Sequence, residues 1–382
     1  MGGASRGVIG VGVIALVALA VAASFGSAAA SVSCKKATIG VMAPLSGPAA
    51  WIGQEQLHWA QFEVFLNNQT RGATKVSLQS FDTQLDDTMA ATQAAKIAAT
   101  SQVLAVVGPA VSDEASAASP SFARSKLAFI SGSATKTSLT TGADKLPTFF
   151  RTVATDYAQS QTDADFIRKT LKATKVWIVD DGSTYSHPIA DRVERLLEIA
   201  GVDVTRDSVS QTSSDFSTLV AKAPPGTQVV FLPWQVGARA TAFYNEFRKQ
   251  GKTATFVGTD KLDGQDWLGA AEGQYLSSFA DVKLLPSRYV SNVVSGYTSK
   301  YGDFKSTFGP PTFVATQVAA QAIHAACADG KATRAEVLAK VRKSYLQTTI
   351  LGYGIRFRAS GDSAKARFYV YKVVGGRRKL VQ

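Results

Sequence analysis

Hydroxyl side chains follow two apolar runs in the middle of the chain, and they could bind a carboxylate or another small anion. The first run, Val103–Val107, leads through a Gly-Pro turn to Ser112, and the second, at residues 127–130, leads to Ser133 and Thr135. Hydroxyls and free backbone N–H groups at a helix start are suitable donors for such a ligand. Helix capping is the alternative role for any one of these hydroxyls. Two such loops on neighbouring strands favour a binding site.

Both hydroxyl loops begin where an apolar run ends, and this defines the fold that must position them. Unbroken apolar runs between turn signals predict strands of a parallel sheet that is covered on both faces. Ligands of such sheets lie beyond the carboxyl ends of the strands. Apolar runs alternate with helical segments of ten or more residues, which predicts βαβ units. Two such series, divided between residues 151 and 156, predict two similar α/β domains in a chain of 382 residues.

The second series and the C-terminal part of the chain carry further strand and helix signals. The second series contains the predicted strands Lys175–Asp180 and Thr255–Gly258, and three helices are predicted between residues 287 and 345. Two strand-like runs follow at residues 354–357 and 366–374, with the turn sequence SGDS between them. This pattern predicts a C-terminal hairpin.

The composition argues against nucleic-acid binding and against a metal centre. The formal net charge is +12, but the basic residues are scattered, with one cluster at Arg377, Arg378 and Lys379. No zinc-finger spacing, basic helix or helix-turn-helix is present. The three histidines lie far apart, and there is no C-x-x-C spacing. We interpret the dispersed positive charge as a contribution to solubility or as attraction to an anionic membrane or wall.

The N-terminal segment has the features of a signal peptide, which we expect to span residues 1–33. Arg6 precedes an apolar run at residues 8–23, and alanines at 28–30 provide an A-x-A cleavage site. The apolar run is shorter than the ~20 residues of a full membrane span. We therefore expect cleavage and export, with a retained membrane anchor as the alternative.

Seven segments, in order along nearly the whole chain, resemble the type I periplasmic binding proteins, in particular the leucine/isoleucine/valine-binding branch that serves ABC importers. The resemblance implies an α/β fold of two Rossmann-like lobes with parallel sheets, joined by three crossovers. Lobe 1 would comprise residues 36–151 and 280–350, and lobe 2 residues 152–279 and 351–382. A ligand would bind in the cleft, and the lobes would close over it by hinge motion. The segments are TIGVMAPLSGPAAWIG (38–53), VVGPAVS (106–112), AFISGSAT (128–135), FFRT (149–152), DFSTLVAK (215–222), FVGTD (256–260) and FRASGD (357–362).

The same resemblance implies a set of ligand contacts. The three hydroxyl residues would hold the α-carboxylate and part of the α-ammonium of an amino acid, and Asp260 would pair with the ammonium where the family usually has Glu. Tyr185 would close over the ligand from lobe 2. Capping by Asp260 and core packing by the aromatic residues are the alternatives. The implied contacts are Trp51, Ser112, Ser133, Thr135, Tyr185, Trp234 and Asp260.

The two cysteines depart from the family pattern and leave three alternatives open. The disulfide that amino-acid binders often carry near the first site loop is missing, because Val111 occupies the place of one of its cysteines. By the family pattern Cys34 and Cys327 both belong to lobe 1, and export permits a disulfide between them. Cys34 could instead carry a lipid, although residues 31–33 lack the large apolar residue of a lipobox. Two free thiols are the third alternative.

We therefore expect an exported, monomeric solute-binding protein that captures a small amino acid or related solute and delivers it to an ABC permease. No chemistry and no cofactor are expected. A dinucleotide-binding G-x-G-x-x-G after the first strand is missing, as is the G-x-S-x-G of a serine hydrolase. The alternatives are sensing through a separate signalling partner, and binding of an amide, a urea-like solute or an aromatic acid.

Overall fold

The computed structural model describes residues 1–4, 31–47 and 49–382. Arg6, the apolar run at 8–23 and the alanines at 28–30 therefore lie outside the described residues. Within the described part, none of the helices combines the length and the apolar character needed to cross a membrane.

Lobe 1 is built on a five-stranded sheet in which every neighbouring pair is parallel. The strand order is β3-β2-β4-β5-β6. The central strand β4 is the sequence VLAVV, and all five of its residues are buried because helices cover both faces of the sheet. The elements are β1 (Val32–Ser33), β2 (Thr38–Ala43), α1 (Ala50–Gln69), β3 (Ser77–Asp82), α2 (Asp87–Ala99), β4 (Val103–Val107), α3 (Ser112–Arg124), β5 (Ala128–Ser131) and β6 (Phe149–Arg151).

Lobe 2 is built on a seven-stranded sheet in the order β16-β15-β11-β10-β9-β7-β8. Strands β7, β8, β9, β10 and β11 are parallel to one another, and β15 and β16 are added antiparallel at the edge beside β11. The first elements are α4 (Asp156–Asp165), β7 (Lys175–Asp180), α5 (Ser186–Ile199), β8 (Asp203–Ser208), α6 (Ser217–Ala221), β9 (Val229–Leu232), α7 (Gly237–Lys249), β10 (Thr255–Gly258), α8 (Gln265–Ala270) and β11 (Tyr275–Ser278). The C-terminal part adds α9 (Arg288–Tyr301), α10 (Gly309–Ala326), β12 (Lys331–Ala332), α11 (Arg334–Arg342), β13 (Tyr345–Leu346), β14 (Ile355–Arg356), β15 (Tyr369–Val374) and β16 (Arg377–Leu380).

The predicted fold class is confirmed: the chain forms two α/β lobes with parallel sheets. It passes from lobe 1 to lobe 2 after β6, returns with α9, and reaches lobe 2 again at β15. On the return, α10 packs along α1 and against β4. Helix α10 is therefore a core element of lobe 1, although some 200 residues separate it from β4 in the sequence.

The last crossover lies further along the chain than the sequence indicates. Residues 351–357, expected in lobe 2, belong to lobe 1, because Leu351, Ile355 and Phe357 pack into its main apolar core. The expected C-terminal hairpin forms only at its turn: Phe357 and Ser363 lie antiparallel to each other across the SGDS sequence, and the N–H of Ala364 donates to the carbonyl of Arg356 at 3.0 Å. The rest of that pairing is wrong, because β14 pairs with β13, whereas β15 pairs with β11 and β16. The SGDS turn instead brings Asp362 to the buried Arg151 of lobe 1.

The N-terminal segment is tied to the end of α10. Cys34 and Cys327 form a disulfide with their Cα atoms 5.9 Å apart. Beside it, β1 pairs antiparallel with β12, and the Cys34 N–H donates to the carbonyl of Gly330 at 3.0 Å. Of the three alternatives for the cysteines, the structure contains the bridge.

Candidate functional site

The loops that follow β4 and β5 are joined to each other by hydroxyl groups. Ser131 Oγ donates to the carbonyl of Pro109, and Ser133 Oγ donates to that of Ala110, both at 2.6 Å. Ser133 Oγ also accepts from Nε2 of Gln56 at 2.7 Å. The hydroxyl of Ser133, an expected ligand contact, is thus fully used inside lobe 1, and its backbone carbonyl faces the other lobe.

Ser112 and Thr135 keep hydrogen-bonding capacity for a ligand. Ser112 begins α3, and its Oγ accepts the N–H of Lys136 at 3.1 Å, which leaves the hydroxyl proton available. Ser112 therefore does not cap its own helix, whose N-cap is Val111. Thr135 Oγ1 is buried beside the carboxyl of Asp156, and no well-formed hydrogen bond reaches it within the described residues.

Asp260 follows β10 in lobe 2 and is completely buried. Its Oδ1 accepts from the hydroxyl of Tyr185 at 2.6 Å and from Nε2 of Gln159 at 2.9 Å. Burial, and then the negative charge of Asp260, raises the pKa of Tyr185, so that Tyr185 stays protonated and donates. Tyr185 and Asp260, both expected in the site, are thus brought together. In this structure the Tyr185 hydroxyl positions the side-chain carboxylate of Asp260 by donating to it.

Lys261 is a further candidate site residue, which the sequence alone did not point to. Its Nζ lies 3.3 Å from Oδ2 of Asp260 and donates to the carbonyl of Ser133, across the cleft, at 3.2 Å. Only 2% of Lys261 is exposed. The one available signal was its position directly after Asp260 in FVGTDK. That signal does not distinguish a buried lysine from a solvated one.

The two lobes are closed on each other around this lysine. Besides the bond from Lys261 to Ser133, the hydroxyl of Thr184 in lobe 2 donates to the carboxylate of Asp113 in lobe 1. Asp263 in lobe 2 accepts the backbone N–H of Thr307 at 2.9 Å. Polar groups of both lobes therefore meet across the cleft; the contacts of Lys261 and Asp263 are buried, and that of Thr184 lies at the surface.

A cavity of about 200 Å³ remains between the lobes. Trp51 lies in its wall, edge-on to Phe308 at 5.7 Å between ring centroids. A Cβ on Gly264 of lobe 2 would come within 3.1 Å of the Trp51 ring, so a glycine there allows the close approach. The walls are mainly apolar; lobe 1 contributes Ala49, Trp51, Ile52, Leu85 and Val111, and lobe 2 contributes Gln235, Val236, Gly237, Ala238, Lys261 and Asp266.

Trp234 lies in the hydrophobic core of lobe 2, and it is not among the residues that line the cavity. Its indole N–H donates to the carbonyl of Val179 at 2.6 Å, and its ring lies 5.4 Å from those of Phe216 and Phe243. The indole is 1% exposed. Trp234 therefore has the position of a core aromatic residue, which is the alternative that the sequence left open beside its expected role as a ligand contact.

Buried acids surround the Asp260–Lys261 pair. Burial raises the pKa of Asp156 to about 7, and the neighbouring hydroxyl of Thr135 opposes this shift without making a well-formed hydrogen bond to the carboxyl. Burial also raises the pKa of Asp163, and it raises the pKa of Glu114 to about 7. At neutral pH these groups hold protons much of the time, because the low polarity around them disfavours their charged form.

A buried arginine holds the loop after β5 in place. Nη1 of Arg151 donates to the carbonyls of Ala134 and Lys136, which flank Thr135, at 3.2 and 2.9 Å. Its Nε donates to Oδ1 of Asp362 at 2.7 Å. The positions of Thr135 and of the Ser133 carbonyl thus depend on an ion pair that bridges residues 211 apart in sequence.

Comparisons with known proteins agree with this geometry. The family model described as "Periplasmic binding protein" matches residues 36–377. The Leu/Ile/Val-binding protein BraC3 of Rhizobium johnstonii is 24% identical over 347 residues, which cover 89% of this chain and 92% of the relative. The branched-chain amino acid transporter substrate-binding protein LivJ of Streptococcus pneumoniae, solved with isoleucine, superposes with a TM-score of 0.81 at 22% identity, covering 90% and 99% of the two chains. A solute-binding protein of an ABC transporter from R. palustris, solved with benzoate, gives a TM-score of 0.78 at 18% identity and covers 90% and 95%.

The two hinged α/β lobes, with polar groups converging on a closed cleft, define a bilobal binding protein. The chain belongs to the periplasmic binding protein family, which is a family of solute-binding proteins.

Proposed function

We propose that this protein is the extracytoplasmic solute-binding protein of an ABC importer. It captures a small carboxylate-bearing solute, an amino acid or a related acid, in the interlobe cleft, and it delivers the solute unchanged to a membrane permease. One observation carries the proposal: Asp260 and Lys261 of lobe 2 meet the Ser133 carbonyl of lobe 1 in a buried, closed contact.

Recognition of the solute divides between polar and apolar groups. Ser112 and Thr135 present hydroxyls to a carboxylate, and hydrogen bonds to a charged group strengthen when closure excludes water. The side chain of the solute would occupy the apolar cavity beside Trp51 and Val111. At about 200 Å³ this cavity is smaller than the ~300–1,000 Å³ pockets of drug-sized ligands. This size supports a small solute.

The relatives support two ligand classes. BraC3 is named as a binder of branched-chain amino acids, and the R. palustris protein was solved with benzoate, an acid that has no ammonium group. Both classes carry a carboxylate on a small apolar body. The charge arrangement around Lys261 distinguishes between them.

The exported form should begin near residue 31. Val32 and Ser33 pair with β12 and so belong to the folded lobe, which supports cleavage after the alanines at 28–30 instead of after residue 33. A Cys34 that is bridged to Cys327 has no free sulfur for a lipid, which supports a mature protein without a lipid on this residue. The mature protein would act as a monomer. The intact mass of the exported protein measures both the start of the chain and any lipid adduct.

A thermal-shift screen of residues 31–382 tests the proposed function. The panel contains amino acids, their des-amino acids, benzoates, amides and urea. A ligand that binds only the native state raises the melting temperature. We expect a saturable rise for at least one small carboxylate or amino acid, and loss of that rise in a double variant with Ser112→Ala and Thr135→Ala. No rise with any compound, for a protein that melts cooperatively, would refute the proposal.

A further inference from the structure

We propose that Lys261 occupies the ammonium position of the site, so that the cleft selects solutes with a carboxylate and no neighbouring ammonium group. This inference rests on the proposed function and names its solute class. The side-chain ammonium of Lys261 takes the two acceptors that the ammonium of an amino acid would use, Oδ2 of Asp260 and the carbonyl of Ser133.

Asp260 offers a cation only one of its two oxygens, and Lys261 already lies beside it. Oδ1 of Asp260 accepts two hydrogen bonds, from Tyr185 and Gln159, whereas Oδ2 has no well-formed hydrogen bond within the described residues. Lys261 lies 3.3 Å from that oxygen and is almost completely buried. An incoming ammonium would therefore meet a like charge within a few ångströms, in an interior where such repulsion is strong.

The lysine is fixed by its surroundings and is not a mobile side chain that a ligand easily displaces. Its Nζ lies 4.7 Å from the ring centroid of Phe308 and 5.6 Å from that of Tyr185, so two aromatic rings contact the cation. The turn that carries it, Asp260–Leu262, packs against β10, because Leu262 lies where a Cβ on Gly258 would be. Gly258 leaves the space that this turn needs.

Lys261 can also contribute to binding of an anion. An ammonium group has three protons, and Lys261 donates one of them to the carbonyl of Ser133. Its contact with Oδ2 of Asp260 is an ion pair without a well-formed hydrogen bond. A proton is therefore available to a solute carboxylate held between lobe 2 and the hydroxyls of Ser112 and Thr135. Lys261 would thus exclude one class of solute and favour the other.

Asp156 is the other group to which an amino-acid ammonium could bind. Its carboxyl is buried near Asp260, Lys261 and the hydroxyl of Thr135, and its oxygens have no well-formed hydrogen bond within the described part of the chain. Burial disfavours its charged form, so pairing with an ammonium would first require that Asp156 lose its proton. A neutral Asp156 is compatible with a nearby solute carboxylate, so Asp156 adds no fixed negative charge that would offset the position of Lys261.

Isothermal titration of the exported protein (residues 31–382) with matched pairs tests this selectivity. The pairs are leucine against isocaproate and phenylalanine against hydrocinnamate, in which the second compound lacks only the ammonium group; benzoate is a fifth titrant. We expect the wild-type protein to bind at least one of the acids without an ammonium group, and each acid that binds to do so at least tenfold more tightly than its amino partner. Lys261→Met keeps the length of the side chain and removes its charge, and it should weaken binding of these acids at least tenfold and improve binding of the amino acid. Lys249→Met, at a lysine that is 78% exposed in the same lobe, should change neither affinity.

The outcomes separate this inference from the proposed function. Leucine or phenylalanine binding as tightly as its des-amino partner would overturn the role of Lys261 and leave the proposed function intact. Binding of a neutral amide or urea alone would also overturn it. The wild-type comparison decides even if Lys261→Met does not fold. A folded protein that binds no solute in the panel would refute both proposals.

Discussion

Asp362→Asn should destabilise the protein because it leaves a buried arginine without its counter-charge. Oδ1 of Asp362 accepts from Nε of Arg151 at 2.7 Å and from the hydroxyl of Thr140 at 2.9 Å. The side chain of Arg151 is completely buried, and that of Asp362 is 16% exposed. Asparagine keeps the size of the side chain and removes the charge, so the variant isolates the electrostatic contribution.

The expected loss follows from the burial of the pair. Breaking a buried ion pair by removing one partner costs ~3–5 kcal/mol, whereas an exposed pair contributes ~0–1 kcal/mol. Arg151 keeps its bonds to the carbonyls of Ala134 and Lys136. We therefore expect the lower part of the range, a fall of about 3 kcal/mol in the free energy of unfolding.

The pH dependence of stability should change in a defined direction. Burial alone would raise the pKa of Asp362, but the charge and hydrogen bond of Arg151, together with hydrogen bonds from Ser360 and Thr140, outweigh it and lower this pKa. The stabilisation by a carboxylate with a lowered pKa is present above the pKa of the unfolded chain and is lost as the pH falls through the folded-state pKa. The wild-type protein should lose this contribution in acid, and Asp362→Asn, which lacks it at every pH, should not.

Urea denaturation at neutral pH measures the effect. The control is Asp165→Asn, which removes a carboxylate paired with Arg168 and Lys169 at the surface, at 3.1 and 3.0 Å. We expect the control to lose less than ~1 kcal/mol. Equal losses in the two variants would refute the claim that the pair stabilises the fold and the loop that carries Thr135.

Three further predictions concern other buried groups. Burial raises the pKa of Glu63 from 4.5 to about 8. The stability that Glu63 confers is therefore fully present below pH 4.5 and is lost as the pH rises to 8. Glu63→Gln should stabilise the protein by roughly 3–5 kcal/mol more at pH 8.5 than at pH 4.5, as measured by urea denaturation. Replacing Cys34 and Cys327 together by serine should cost ~4 kcal/mol, and thiol titration of the unfolded wild-type protein should find no free thiol. Trp234→Ala should cost ~3–5 kcal/mol of stability without changing the solute preference measured by calorimetry.

The sequence predicted the centre of the fold well because the relevant signal was local. Strands β4, β7 and β10 occur at the predicted residues, since each is an unbroken apolar run between turn signals. The hydroxyls of Ser112 and Thr135 could be placed for the same reason, because each follows directly from the end of a buried strand.

The features that the sequence did not predict depend on contacts that its local pattern does not show. Strand β16 is the charged segment RRKL, which has no strand pattern of its own and forms because it pairs with β15 across the turn at Gly375 and Gly376. Arg378, in the basic cluster at residues 377–379, has a buried side chain that is bonded to Asp263 and Asp281, more than 90 residues earlier in the chain. The burial of Lys261 at the cleft and of Trp234 in the core of lobe 2 likewise depends on distant residues.

The proposed function requires that the hydroxyl loops of lobe 1 and the closed cleft form one solute site. The most direct measurement is the dissociation constant of the best thermal-shift solute for the wild-type protein and for Thr135→Ala, with the melting temperature of each protein without solute. Thr135 Oγ1 has no well-formed bond within the described residues, so we expect an affinity loss of ~1–3 kcal/mol and almost no change in the melting temperature. An unchanged dissociation constant together with a lowered melting temperature would contradict this requirement, because Thr135 would then be a structural residue of lobe 1.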